Sequence, residues 1–96
     1  MDEKNRFALA MRMGRAALSM SQQEFADALG VAKSTVARNE TLEMAMRADT
    51  LTAMMRVFRD RGIDVDLLGA TDSLTITVTA TGLAALEERR KEKEKP

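Results

Sequence analysis

The spacing of apolar residues changes at Gly62, and this change constrains the fold more than any other feature of the chain. Before Gly62, apolar residues recur at intervals of three and four, which is typical of amphipathic helices. After Gly62 they alternate with Asp or Thr, as in half-buried strands. The alternating residues are Ile63, Val65, Leu67, Leu74, Ile76 and Val78. The pattern predicts a helical unit over residues 1–62 and a strand-containing extension over residues 63–96.

The helical unit begins with two amphipathic segments separated by a break at Ser19. The first segment predicts a helix over about Lys4–Leu18. Ser21 and Glu24 have the spacing of a capping box, in which each side chain accepts a backbone N–H of the first helical turn, so a second helix starts there. Gly30 suits the left-handed conformation that ends a helix, and we expect a sharp turn at this residue.

Two further helices and a C-terminal extension follow. The third helix is expected over Ala32–Asn39 and the fourth around the apolar residues of Leu51–Phe58. The hairpin turn is expected at Gly69–Ser73, a short last helix at Thr81–Leu86, and a solvated charged tail over Glu87–Lys95. The predicted fold class is mainly α, a four-helix domain with a C-terminal β-hairpin and a short terminal helix.

The composition excludes most catalytic chemistry. The chain has no Cys and no His, which removes thiolate nucleophiles, imidazole bases and the usual zinc ligands. A Gly-rich phosphate loop and a carboxylate pair set in apolar sequence are also missing. We therefore expect a binding protein without a cofactor rather than an enzyme.

Apolar runs are too short for a membrane span and the N-terminal residues lack the layout of a secretory signal, so a cytoplasmic protein is expected.

The charges are unevenly distributed along a chain whose formal net charge is zero. Between Lys4 and Arg61 there are ten bases and six acids, so the helical unit carries a modest positive charge. Neutralising phosphates requires Lys and Arg, and a modest excess indicates that affinity for a polyanion would depend on specific contacts.

The segment Ser21–Glu40, SQQEFADALGVAKSTVARNE, resembles the helix-turn-helix of the Cro and phage-repressor (Xre) family. The resemblance covers the Gln that opens the second helix, the Gly of the turn, the Ser-Thr-Val of the recognition helix and the closing Glu. It implies that residues 1–62 form a DNA-binding domain whose third helix enters the major groove of double-stranded DNA.

The resemblance also implies individual roles. Gln22 would bind a phosphate, and Arg15 would pair with Glu40 to set the packing of the helices around the turn at Gly30. The same pair would leave Arg15 near a DNA phosphate. Further DNA contacts are implied for Arg12 and Arg47, to phosphate, and for the recognition-helix residues Ala32, Lys33, Ser34, Thr35 and Arg38. The alternatives are that this polar helix face is only solvated, or that it contacts phosphate rather than bases.

The chain departs from the family pattern after the recognition helix. Leu42 and Met46 stand where the family often has Gly and Pro, which puts phosphate contacts from that loop in doubt. Asn39 replaces a large apolar residue, which either loosens the anchoring of the recognition helix or adds a hydrogen bond.

The hairpin offers two interpretations. Leu74, Ile76 and Val78 line one face of a strand that could pair with a second copy, or they could complete the core of the same chain. We expect a homodimeric transcription regulator, a repressor that binds an inverted-repeat operator. The alternative is an antitoxin or adaptor whose main partner is another protein.

Overall fold

The fold consists of five helices and one hairpin, as a computed structural model shows for residues 3–67 and 73–94. The elements in chain order are α1 (Glu3–Ala17), α2 (Gln22–Leu29), α3 (Lys33–Glu40), α4 (Ala48–Asp60), β1 (Ile63–Asp66), β2 (Thr75–Val78) and α5 (Ala80–Glu94). The mainly helical fold class with a C-terminal hairpin is confirmed, and the predicted bounds of α1 and α3 differ from the observed ones by a single residue. Among the described residues, no helix combines the length and apolar character needed to cross a bilayer.

The core lies between α1, α2, α3 and α4. Its largest fully buried side chains come from each of these helices and from the start of β1: Met11, Phe25, Val36, Met54, Phe58 and Ile63. The rings of Phe25 and Phe58 stack with their centroids 5.4 Å apart. Burial of each such side chain contributes about 1.5–3 kcal/mol, and this core holds α2 and α3 in place.

A glycine in the last turn of α1 allows close packing of that helix on α4. Gly14 is buried, and a Cβ at this position would overlap the ring of Phe58. Glycine inside a helix costs roughly 0.5–1 kcal/mol relative to alanine. The ring of Phe58 occupies the space that a side chain at position 14 would need.

The hairpin packs its apolar face on the helices of its own chain. Its strands are antiparallel, with Ile63 opposite Val78 and Val65 opposite Ile76. The apolar residues of β2 and the preceding Leu74 are half-buried against the core, whereas Thr75 and Thr77 are exposed. The turn expected at Gly69–Ser73 lies almost entirely outside the described residues.

The last helix is longer than predicted. The expectation that the helix is short and ends near Leu86 is wrong, because α5 continues through the charged run to Glu94. The run is solvated as expected, since its residues from Glu87 to Glu92 are exposed except for the half-buried Arg89. Glu and Lys are good helix formers, and Lys91 Nζ lies 3.8 Å from Glu87 Oε1 one turn away. The helix start is capped by Thr79, whose Oγ1 accepts the N–H of Gly82 at 3.2 Å.

Candidate nucleic-acid interface

The first turn of α2 is held by the predicted capping box. The Oγ of Ser21 accepts the backbone N–H of Glu24 at 3.0 Å, and Glu24 Oε1 accepts the N–H of Ser21 at 2.9 Å. The bond from the Ser21 backbone lowers the pKa of Glu24 below its usual range, and a hydrogen bond from Arg89 lowers it further. Glu24 therefore keeps its negative charge at the start of α2, where the helix dipole also favours negative charge.

The turn between α2 and α3 depends on the backbone of Gly30. This residue has φ +77°, and its N–H and that of Val31 both donate to the carbonyl of Ala26, at 2.9 and 3.0 Å. A Cβ at Gly30 would meet no atom within 4 Å, so the requirement for glycine is conformational rather than steric. The predicted role of Gly30 in the turn is confirmed.

Helix α3 buries one face and exposes the other. Val36, Asn39 and Glu40 are 0%, 2% and 6% exposed. Lys33, Ser34 and Arg38 are exposed, as is Ala32 at the N-cap, and Thr35 is half-buried. Helical spacing places Ser34 and Arg38, one turn apart, opposite Val36. Four of the five predicted recognition residues are therefore accessible: Ser34 and Arg38 on the outward face of α3, and Ala32 and Lys33 at its N-terminal end.

Asn39 anchors the end of α3 through a hydrogen bond. Of the two expected effects of replacing an apolar residue by Asn39, looser anchoring or an added hydrogen bond, the structure therefore shows the added hydrogen bond. Its Nδ2 donates to the carbonyl of Met44 at 3.3 Å and ties the recognition helix to the following loop. Its Oδ1 is buried without a hydrogen-bond partner among the described residues. Asn39 thus replaces an apolar anchor with a polar one that is only half satisfied.

The predicted pair of Arg15 and Glu40 is present and is bidentate. Arg15 Nε lies 2.7 Å from Glu40 Oε2, and Nη2 lies 3.0 Å from Oε1. Arg15 Nη1 also donates to the carbonyl of Met20 at 3.0 Å, so one guanidinium joins the α1–α2 turn to the end of α3. The hydrogen bond from Glu40 raises the pKa of Arg15 above its ordinary value despite the opposing effect of burial.

Gln22 joins this network, which the sequence pattern did not indicate. Its Nε2 donates to Glu40 Oε1 at 3.0 Å, so one carboxylate oxygen accepts bonds from both α1 and α2. The Glu40 side chain is only 5% exposed. The network positions the Gln22 amide, at the first residue of α2, beside the C-terminal end of α3.

The two flanking arginines lie on different elements. Arg12 is exposed on α1 and lines, with Glu40 and Leu42, a groove of about 570 Å³ between α1 and the loop after α3. Arg47 is the N-cap of α4 and is exposed, with its Nε 3.5 Å from Asp49 Oδ1. Neither arginine belongs to the buried network, and both remain open to solvent.

Leu42 keeps the backbone conformation that glycine would favour. It has φ +65° and is 46% exposed, so a branched side chain occupies a left-handed turn at the position where the related proteins often have Gly. The loop backbone therefore adopts the left-handed conformation that glycine favours, and this conformation is strained for leucine.

Comparison with known families identifies the class of protein. The sequence model described as helix-turn-helix, which represents Xre/Cro-like DNA-binding domains, matches residues 11–64, more than half of the chain. The chain belongs to this family, whose members are DNA-binding regulatory domains rather than enzymes. Neither the curated proteins nor the solved structures contain a match. Family membership confirms the resemblance carried by Ser21–Glu40 and supports a DNA-binding transcription regulator.

Proposed function

We propose that this protein is a sequence-specific transcriptional repressor that binds an inverted-repeat operator in double-stranded DNA as a homodimer. One observation carries the proposal: α3 buries Val36, Asn39 and Glu40 and presents a polar face on the opposite side. A helix held in this way fits a major groove about 12 Å wide. Repression follows from occupancy, because a dimer bound to the operator excludes other proteins from the same surface.

The exposed face of α3 is assigned to base recognition. Lys33 and Arg38 are suited to donate to guanine O6 or N7, and Ser34 to a base or a phosphate. The methyl group of Ala32 at the N-cap offers an apolar contact to thymine. Thr35 is half-buried, so its share in the interface is smaller.

Phosphate contacts are assigned to residues around that face. Gln22 uses one amide N–H for Glu40, and its second N–H would donate to a phosphate at the N-terminus of α2. Arg12 and Arg47 are exposed and would add charge on either side, while Arg15 remains 23% exposed although it is bound to Glu40. These contacts would position the recognition helix without reading sequence.

The dimer contact is assigned to the extension over residues 63–96. In the described part of the chain the sheet has two strands, so each strand has an edge that is not paired within the sheet. Leu74, Ile76 and Val78 already pack partly on their own core. The proposed contact with a second copy therefore uses the edge of β2 and the uncovered part of these side chains.

The test is selection of sites from a random duplex library, followed by titration of the selected site at several salt concentrations. We expect an enriched inverted repeat, and Arg38→Ala or Lys33→Ala should each weaken binding by about 1–3 kcal/mol and relax preference at one base pair. The control is Arg56→Ala, which removes an exposed basic side chain from α4. It should change neither the affinity for the selected site nor the preference for any base pair.

Other outcomes would redirect the proposal. Equal weakening on all sequences would reassign Lys33 and Arg38 to phosphate. No enrichment, with weak binding that disappears as salt rises, would contradict the operator-binding function and favour a protein partner. Ile76→Lys should dissociate the dimer in sedimentation experiments, whereas Thr77→Lys on the exposed face of β2 should not; a dimer that survives Ile76→Lys would exclude the hairpin as its contact.

A further inference from the structure

The hydrogen-bond pattern of the hairpin shows which residues direct their backbone groups to its two outer edges. The N–H of Thr79 donates to the carbonyl of Gly62 at 2.8 Å, and these residues are opposite each other when the register of β1 and β2 is continued by one step. Hydrogen-bonded and non-hydrogen-bonded pairs alternate in an antiparallel ladder, so the backbone groups of every second pair point away from the partner strand. The residues that face an edge in this way are Ile63 and Val65 on β1, and Ile76 and Val78 on β2.

The edge of β1 is protected by its own chain. Ile63 is 1% exposed, so a further strand cannot reach its edge-directed N–H and carbonyl. Val65 lines a groove of about 410 Å³ together with residues of α4, the helix that leads into this strand. The strand also carries two exposed carboxylates, Asp64 and Asp66, and charge on an edge strand opposes pairing with another chain.

The edge of β2 has none of these protections among the described residues. Ile76 and Val78 are only half-buried, and neither has a backbone hydrogen bond to a described residue outside the sheet. The segment Ser73–Thr79, SLTITVT, contains no charged residue, no Pro and no Gly. Proteins blunt an exposed edge with such residues or cover it with another element. An edge that lacks both is therefore suited to pair with a strand of another chain.

The edge of β2 matches a second copy of itself. Leu74 continues the alternation of Ile76 and Val78, so these three residues are spaced evenly about Ile76. A two-fold axis at Ile76 sets Leu74 opposite Val78 of the partner subunit and Ile76 opposite its own copy, and all three residues then pair at hydrogen-bonded positions. A register that set Ile76 opposite Val78 would place Leu74 against Ala80, the first residue of α5, and would lose the third pair.

We propose that two copies join their β2 strands antiparallel about Ile76 and form one four-stranded sheet in the order β1, β2, partner β2, partner β1. The inference rests on the proposed homodimer and specifies its contact residue by residue. On the core-facing side, Val65 and Ile76 continue into the same two residues of the partner as one apolar row. On the outer side, Thr75 lies opposite Thr77 of the partner subunit, a pair that stabilises antiparallel strands. Because both β1 edges are protected, the sheet ends there and the assembly closes as a dimer.

Disulfide formation between single cysteines tests this register, because the chain has no native cysteine. Thr75→Cys and Thr77→Cys are prepared in the full chain and oxidised separately and as an equimolar mixture. We expect linked dimers in the mixture, since residues 75 and 77 of opposite copies have Cα atoms about 4.5 Å apart, within the range of a disulfide. In each variant alone the cysteines are diagonal neighbours about 7–8 Å apart, and linkage should be low. Thr52→Cys, on the exposed surface of α4, measures linkage by random collision.

The pattern of linked species distinguishes the outcomes. Efficient linkage of Thr75→Cys alone or of Thr77→Cys alone would shift the pairing by two residues and overturn the place of Ile76 on the two-fold axis. Linkage no greater than that of Thr52→Cys in every sample would overturn the pairing of β2 edges. Binding of the linked dimer to the selected site separates this inference from the proposed function: a linked dimer that selects no site contradicts operator binding alone, whereas an operator-binding dimer that never links overturns the four-stranded sheet alone.

Discussion

Two ion pairs with the same N–O distance of 2.7 Å hold different regions of this molecule. Arg15 and Glu40 lock the helix-turn-helix, with the Glu40 side chain 5% exposed and further bonds to Met20 and Gln22. Arg89 and Glu24 attach α5 to the outside of α2, with the Glu24 side chain 48% exposed. Because the two distances are equal, we expect the surroundings of each ion pair to determine its contribution to the free energy of unfolding.

Solvation explains the difference between the two regions. We call Arg15–Glu40 the inner pair and Arg89–Glu24 the outer pair. A buried carboxylate that loses its partner cannot be rehydrated, so breaking the inner pair leaves the negative charge of Glu40 uncompensated. An exposed carboxylate is rehydrated as soon as its partner leaves. The helix-turn-helix is therefore rigidly cross-linked, whereas α5 depends on close packing at its start and on a replaceable charge contact near its end.

The strongest test removes the inner pair. Arg15→Met keeps much of the aliphatic stem but leaves Glu40 buried and unpaired, and we expect a loss of about 3 kcal/mol or more in the free energy of unfolding. Urea denaturation followed by circular dichroism measures it. Arg89→Met is the matched variant for the outer pair and should cause a clearly smaller loss. Equal losses would show that burial does not distinguish the two pairs.

The second test disturbs the packing that starts α5. A Cβ at Gly82 would overlap the carbonyl oxygen of Gly62, so Gly82→Ala should destabilise α5 and β2 by about 1–3 kcal/mol. Hydrogen exchange localises the effect. Gly30→Ala, which introduces left-handed strain without a steric contact, should instead cost about 1–2 kcal/mol and act on α2 and α3. Faster exchange throughout the chain in both variants would mean that the two regions unfold together.

The third test releases strain within the helix-turn-helix region. Leu42→Gly removes a positive φ from a branched residue, a gain of about 1–2 kcal/mol that the greater flexibility of glycine reduces by roughly 0.5–1 kcal/mol. We expect a small net rise in the melting temperature. Glu43→Gly is the control at the next residue, which is not among the positive-φ positions, and should lower the melting temperature. A decrease for Leu42→Gly would indicate that contacts of the leucine outweigh the strain.

The smallest expected effect concerns pH and the outer pair. Folding lowers the pKa of Glu24, so its stabilisation is complete above the ordinary value of 4.5 and is lost as pH falls through the lower pKa of the folded state. Thermal unfolding between neutral and acidic pH should therefore show a weaker acid destabilisation in Glu24→Gln than in the parent. Identical pH profiles would remove Glu24 from the groups that couple folding to protonation.

Features formed by neighbouring residues were predictable. The Ser21 and Glu24 capping box and the turn at Gly30 were found where the sequence pattern placed them, because each acts through the backbone of adjacent residues. The pair of Arg15 and Glu40 was expected only from the resemblance to the family, since no local pattern links residues 25 positions apart. The exposure of Ser34 and Arg38 agrees with helical spacing from the buried Val36.

The remaining features depended on tertiary contacts. The charged run predicts a tail, but its residues favour a helix once the start of α5 is packed on Gly62, so α5 extends to Glu94. The bond from Gln22 to Glu40 joins residues 18 apart, and the tether of Arg89 to Glu24 joins residues 65 apart. No local sequence pattern predicts a contact between residues so far apart in the chain.

The sequence by itself determined where α1, α2 and α3 begin, to within a residue, where the chain turns at Gly30 and that α3 carries polar residues outward, because capping, glycine conformation and apolar periodicity act over a few residues. Only the tertiary structure decided that Gln22 shares the carboxylate of Glu40, that the hairpin covers its own core and that α5 returns to α2. These choices depend on desolvation and close contact between distant segments, and such energies exist only after the chain has folded.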